Sequence, residues 1–98
     1  MLTGKQRSFL RKLANGIDPV VYIGKQDLTD NIIKEIDTNL EARELVKVKI
    51  QESCLLDPKE VANQVAAKLG AEYVQAIGRK FTLYRESKDN KEIILPKK

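Results

Sequence analysis

Four residues without a polar break, Val20-Val21-Tyr22-Ile23, lead through Gly24-Lys25-Gln26-Asp27 into a segment whose apolar residues Ile32, Ile33, Ile36 and Leu40 recur at helical spacing. A covered strand joined to an amphipathic helix by so short a turn commits the chain to an α/β arrangement, because the helix must return across a sheet to bury its stripe. The junction also gathers backbone N–H groups, the positive end of a helix dipole and a lysine at one point, which suits an anion. With 18 Lys and Arg against 14 Asp and Glu, a net charge of +4, the anion expected is a phosphate of RNA or DNA.

Composition narrows the chemistry. The 98 residues suffice for one core, so a single domain over residues 1–98 is expected. No run approaches the roughly 18 apolar residues of a membrane span, and Met1 to Lys5 lacks the apolar centre of a signal peptide. No membrane association and a cytoplasmic location follow as expectations. The chain has no histidine and one cysteine, Cys54. That removes Ser-His-Asp and Cys-His nucleophilic sites, His-metal sites, a structural zinc and an internal disulfide. A magnesium site needs acids at ligand spacing, and the carboxylates here are spread over helix caps and surfaces. No catalytic residue, metal or cofactor is therefore expected.

In chain order, Thr3 and Gln6 form a capping box for a first helix ending near Asn15-Gly16, with Leu2, Phe9, Leu10 and Leu13 as its apolar stripe. Lys5, Arg7, Arg11 and Lys12 fall largely off that stripe, either a solvated face or a polyanion contact. The second helix, roughly Thr29 to Arg43, is acidic. From Leu28 to Glu44, Asp30, Glu35, Asp37, Glu41 and Glu44 stand against Lys34 and Arg43, so its body should face away from a polyanion.

Leu45 to Ile50 alternates, Val46, Val48 and Ile50 one way, Lys47 and Lys49 the other. Asp57-Pro58-Lys59-Glu60 starts a third helix packed through Val61, Val65 and Leu69 and ended by Gly70. Two strands, about Glu72 to Ile77 and Lys80 to Arg85, are joined by Gly78-Arg79. Val74, Ala76, Phe81 and Leu83 are expected on their packed face, with Thr82 and Tyr84 sharing an open face with Lys47 and Lys49. Residues 86–98 are expected to be a loose tail outside an ordered core of about 1–85, with Ile93-Ile94-Leu95-Pro96 able to dock on a sheet edge. The order helix, strand, helix, strand, helix, strand, strand predicts a two-layer α/β sandwich. Its four-stranded mixed sheet should have the first two strands parallel, the last two an antiparallel hairpin, and helices mainly on one face.

Leu2-Thr3-Gly4-Lys5-Gln6-Arg7, Tyr22-Ile23-Gly24-Lys25, Leu28-Thr29, Glu44 to Ile50, Ile77-Gly78-Arg79 and Leu83-Tyr84-Arg85 together resemble the CRM (chloroplast RNA splicing and ribosome maturation) domain in its stand-alone bacterial YhbY-like form. The resemblance spans residues 1 to about 85. It implies a fold similar to the C-terminal domain of bacterial translation initiation factor three, and RNA binding in assembly of the large ribosomal subunit. The family turn reads Gly-x-x-Gly, like the backbone-clamping loop of KH domains. Here Asp27 takes the second glycine's place, where it either repels a phosphate or stabilises the following helix start.

The contacts expected with RNA are Gly24, Lys25 and Gln26 at the turn, Lys5, Arg7, Arg11 and Lys12 on the first helix, and Arg79 and Lys80 at the hairpin. Lys47 and Lys49 are read as exposed lysines that need no ligand. Tyr22, Tyr84 and Phe81 are rings able to stack on bases; for Tyr22 and Phe81 core packing is the favoured reading, and Tyr84 stays open between the two. The partner expected is ribosomal RNA of the large subunit, with the chain a monomer. The alternative is a module that docks on a ribosomal protein through a strand edge or Ile93-Ile94-Leu95.

Overall fold

A computed structural model describes residues 2–24, 28–52 and 55–97. The expectations for Lys25, Gln26, Asp27 and Cys54 lie outside the described residues. The elements are α1 (Gly4–Ala14), β1 (Val21–Ile23), α2 (Asp30–Arg43), β2 (Leu45–Ile50), α3 (Pro58–Leu69), β3 (Glu72–Ile77) and β4 (Lys80–Tyr84), in the expected order. No described helix is long and apolar enough to cross a membrane.

Local chemistry sets the helix starts. The Gln6 N–H donates to Thr3 Oγ1 and the Thr3 N–H to Gln6 Oε1, both at 3.1 Å, completing the capping box. Thr29 Oγ1 accepts from the Ile32 N–H at the head of α2, and Asp57 Oδ2 from the Glu60 N–H at the head of α3, where Pro58 gives up no useful donor. α3 ends at Gly70, whose φ of 65° is the left-handed geometry glycine adopts without strain.

The sheet order is β1-β2-β4-β3, with β1 and β2 parallel and the other pairs antiparallel. Val21, Val48, Phe81 and Ala76 stand side by side across the four strands, all turned toward α2 and α3. Ile36 and Leu40 of α2 and Val61, Ala62 and Val65 of α3 close this larger core. The opposite face is divided. At one end Leu45, Tyr84 and Val74 are covered by Leu2, Leu10 and Ala14 and by Ile93 and Leu95 of the C-terminal segment. At the other end the sheet is bare.

Four side chains differ from the sequence expectation. Tyr73 pairs with Leu83 and Gln75 with Thr82, so Val74 is an extra residue in β3; this bulge turns it away from Ala76 and toward α1. Thr82 and Tyr84 were expected on the open face, and both are buried; Tyr84 lies under α1 and the C-terminal segment, whereas Thr82 sits between Lys47 and Gln75 at the floor of the uncovered part. Leu13 is 39% exposed, so the buried stripe of α1 is Gln6, Leu10 and Ala14, continued by Leu2 before the helix.

The C-terminal segment is held rather than loose. Glu44, immediately after α2, is fully buried with φ 66°, and its carboxylate accepts from the N–H groups of Ser87, Glu92 and Ile93 at 2.7–2.8 Å. Burial pushes its pKa up, but those three donors outweigh burial and hold it below the usual carboxylate value. Glu41, one turn earlier, accepts from Ser87 Oγ and the N–H groups of Lys88 and Asp89, and the Ser87 hydroxyl above all lowers its pKa. Gln6 Nε2 adds a bond to the Pro96 carbonyl. Ile93 and Leu95 are thereby spent on the chain's own core, and Ile94 stays outside, 81% exposed.

Candidate functional site

The bare end of the sheet carries two rows of side chains fixed by strand register. Tyr22, Lys49, Lys80 and Ile77 form the outer row, one from each strand, and Lys47, Thr82 and Gln75 form the next row toward α1. Among these seven positions three are lysines and none is acidic. Tyr22 is 54% and Ile77 64% exposed, so ring and aliphatic surface lie beside the ammonium groups. A hollow of about 390 Å³ runs over this face, bounded by the α1 end at Asn15 and by Gly78 and Arg79 at the hairpin.

The hairpin, β1 and β2 meet at one end of the sheet. Arg79 donates from Nε to the Ile50 carbonyl (3.4 Å) and from Nη2 to the Gln51 carbonyl (3.1 Å), while its own carbonyl accepts the Ile50 N–H. Gln51 donates its N–H to Ile23, and a Cβ at Gly24 would stand 3.1 Å from Gln51 Oε1. Gly24, Gln51 and Arg79 are thus neighbours at the rim of the open face.

The α2 acids lie on the far side of the sheet, with the helix packed against the larger core. A larger hollow, about 880 Å³, lies between the ends of α1 and α2 and the C-terminal segment. It mixes Arg43 and Lys47 with Asp18 and Glu92 and so offers a polyanion no net attraction. Among the described residues no three Cys, Asp or Glu gather as a metal site.

The CRS1/YhbY (CRM) domain model matches residues 2–85. The chain belongs to this family. Over 96 residues it is 46% identical to a Bacillus subtilis protein named Probable RNA-binding protein YqeI, covering 98% of this chain and all of that one. It is 37% identical to a Haemophilus influenzae protein named RNA-binding protein, covering 99% of this chain and 97% of that one. The solution structure of the Staphylococcus aureus hypothetical protein SAV1595 superposes with a TM-score of 0.82 at 50% identity, covering 98% of this chain and all of that one. The segment clasped by Glu41 and Glu44 begins just where the family match ends.

Within this CRM domain the expected contact residues divide. Gly24, Arg79 and Lys80 come together at the rim, and Lys25 and Gln26 follow Gly24 in sequence. Arg11 and Lys12 are exposed near the α1 end that borders the open face. Lys5 is exposed one to two turns away, toward the Leu2 N–H bond to Glu72. Arg7 is half-buried, its Nε 3.4 Å from the Tyr73 carbonyl, which gives it a structural partner on β3.

The sequence reading takes Tyr22 as core and Lys47 and Lys49 as exposed lysines that need no ligand; the structure leaves Tyr22 outside the core. Tyr22 looked like core because it sits in an apolar run, yet β1 buries only Val21 and Ile23. The available signal was its period of two with those neighbours. Tyr84, left open from sequence, is 6% exposed and unable to stack on a base; burial first, then the charges of Glu44 and Glu86, raise its pKa.

Proposed function

We propose that this CRM domain is a non-catalytic RNA-binding protein that grips RNA by its phosphates and works in the cytoplasm on ribosomal RNA of the large subunit during assembly. The observation that carries the reading is the open sheet face, where Lys47, Lys49 and Lys80 stand in register with no acid among them. Lysines there supply point charges to phosphate oxygens and read no base, so weak sequence preference and strong salt dependence are expected. Exposed Arg11 and Lys12 extend the positive surface along α1. Gly24 stands at the rim of this site, and Lys25 and Gln26 are assigned to it because they follow Gly24 in sequence. The naming of two relatives as RNA-binding proteins supports the RNA partner. The ribosomal target rests on the family resemblance.

Sequencing of RNA crosslinked to the protein in cells, together with its sedimentation across ribosomal fractions, tests this function. Crosslinks concentrated in large-subunit RNA, with cosedimentation with its precursors, are expected. Crosslinks scattered over messenger RNA would contradict the ribosomal target while leaving RNA binding in place.

A further inference from the structure

We infer that the open face takes unpaired RNA and that Tyr22 is its base-stacking platform. This deepens the RNA reading above and rests on it. An exposed tyrosine on an edge strand has no packing reason to be aromatic, since Val21 and Ile23 alone supply the β1 contribution to the core. The side chain is placed for use: its hydroxyl lies 3.4 Å from the Pro19 carbonyl, so the ring is tethered at its polar tip beside the lysine row. Register puts Lys49 next to it and Lys80 beyond, and neighbouring strands stand about 4.8 Å apart.

The backbone of a single strand can follow such a positive row while a base lies on the adjacent ring. A duplex presents its bases edge-on inside the helix and leaves no base face for Tyr22. The absence of acids from the seven positions fixes the sign of the ligand, and the ring fixes its state as unpaired.

The probes are a single-stranded oligoadenylate of about eight nucleotides, an abasic strand of the same length, and a fully paired, loop-free RNA duplex long enough that its ends are a small part of it. Oligoadenylate should bind more tightly than the abasic strand. Tyr22→Ala should lose about 5- to 150-fold in affinity for oligoadenylate and lose almost nothing for the abasic strand or the duplex, with an unchanged melting temperature because the ring is outside the core. Tyr22→Phe keeps the ring and should bind as the wild type does.

The chain has three tyrosines and no tryptophan, and Tyr22 is the exposed one. Oligoadenylate should therefore quench tyrosine emission in the wild type and not in Tyr22→Phe. If Tyr22→Ala binds oligoadenylate as tightly as the wild type while Lys49→Gln and Lys80→Gln bind less, stacking is refuted and the phosphate-binding reading stands. If no RNA binds the wild type, both fail.

Discussion

Replacing Glu44 tests how one buried carboxylate holds the last dozen residues. Its Oε1 accepts from the Glu92 and Ile93 N–H groups and Oε2 from the Ser87 N–H, all within 2.8 Å. Glu44→Gln keeps one acceptor oxygen, turning two charge-assisted bonds into neutral ones at about 1 kcal/mol each, and sets an NH2 group against the Ser87 donor, leaving it unpaired for about 1–3 kcal/mol. Removing a buried charge recovers part of this, so the net loss should be about 2–3 kcal/mol. For a domain of this size that lowers Tm by about 10–20 °C.

A second comparison separates the clasp from the backbone. Glu44 sits at φ 66° and ψ −40°, which costs a non-glycine residue about 1–3 kcal/mol. Glu44→Gly and Glu44→Ala both lose the carboxylate, but only glycine relieves that geometry, so the glycine variant should be the more stable of the two by about 1 kcal/mol. Thermal unfolding followed by circular dichroism gives the stabilities, and hydrogen exchange at Ser87, Glu92 and Ile93 gives the clasp. Unchanged Tm and intact protection of those three amides in Glu44→Gln would refute the account of the C-terminal segment.

Other expectations follow from the same contacts. Because the folded pKa of Glu44 is depressed, its contribution is fully present above the usual carboxylate range and lost as pH falls through the lower folded value; amide protection at residues 87–93 should fall on acidification while that of the Phe81 strand persists. Arg85 donates to the Asp37 carboxylate (2.6 Å) and to the Leu69 and Asp37 carbonyls, so Arg85→Lys should cost about 1–2 kcal/mol in urea unfolding and leave RNA affinity unchanged. Gly70→Ala should cost about 1 kcal/mol, set by its positive φ, since nothing lies within 4 Å of an added Cβ. Asp27→Gly should tighten RNA binding about 2- to 10-fold through reduced repulsion, measured against Lys25→Gln, which should weaken it.

Much of the architecture was legible because it rests on local signals. Capping by Thr3 and Asp57, the stop at Gly70 and the alternation of Leu45 to Ile50 each reappear as element boundaries. What the sequence did not show depends on contacts between distant residues. The β3 bulge at Val74 breaks a period of two that reads as unbroken from Glu72 to Ile77. The burial of Tyr84 requires α1 and Ile93 to cross the same patch of sheet. Glu44 read as one more acid on a solvated helix, and no local pattern distinguishes a carboxylate that will receive three N–H groups from 43 or more residues away. At the site, the hairpin and turn residues were visible as basic and glycine-containing loops, whereas Tyr22, Lys47 and Lys49 acquire meaning only from cross-strand register.

The central claim is that the lysines of the open face bind RNA phosphates, and the salt dependence of affinity in a Lys47→Gln, Lys49→Gln, Lys80→Gln variant tests it most directly. Each phosphate contact to single-stranded RNA contributes about 0.7 to the slope of log K against log salt concentration. Loss of three contacts should therefore flatten the slope by about 2 and weaken binding at low salt far more than at high salt, with Tm unchanged. A triple variant with the wild-type slope and affinity would contradict the claim and move RNA binding off this face.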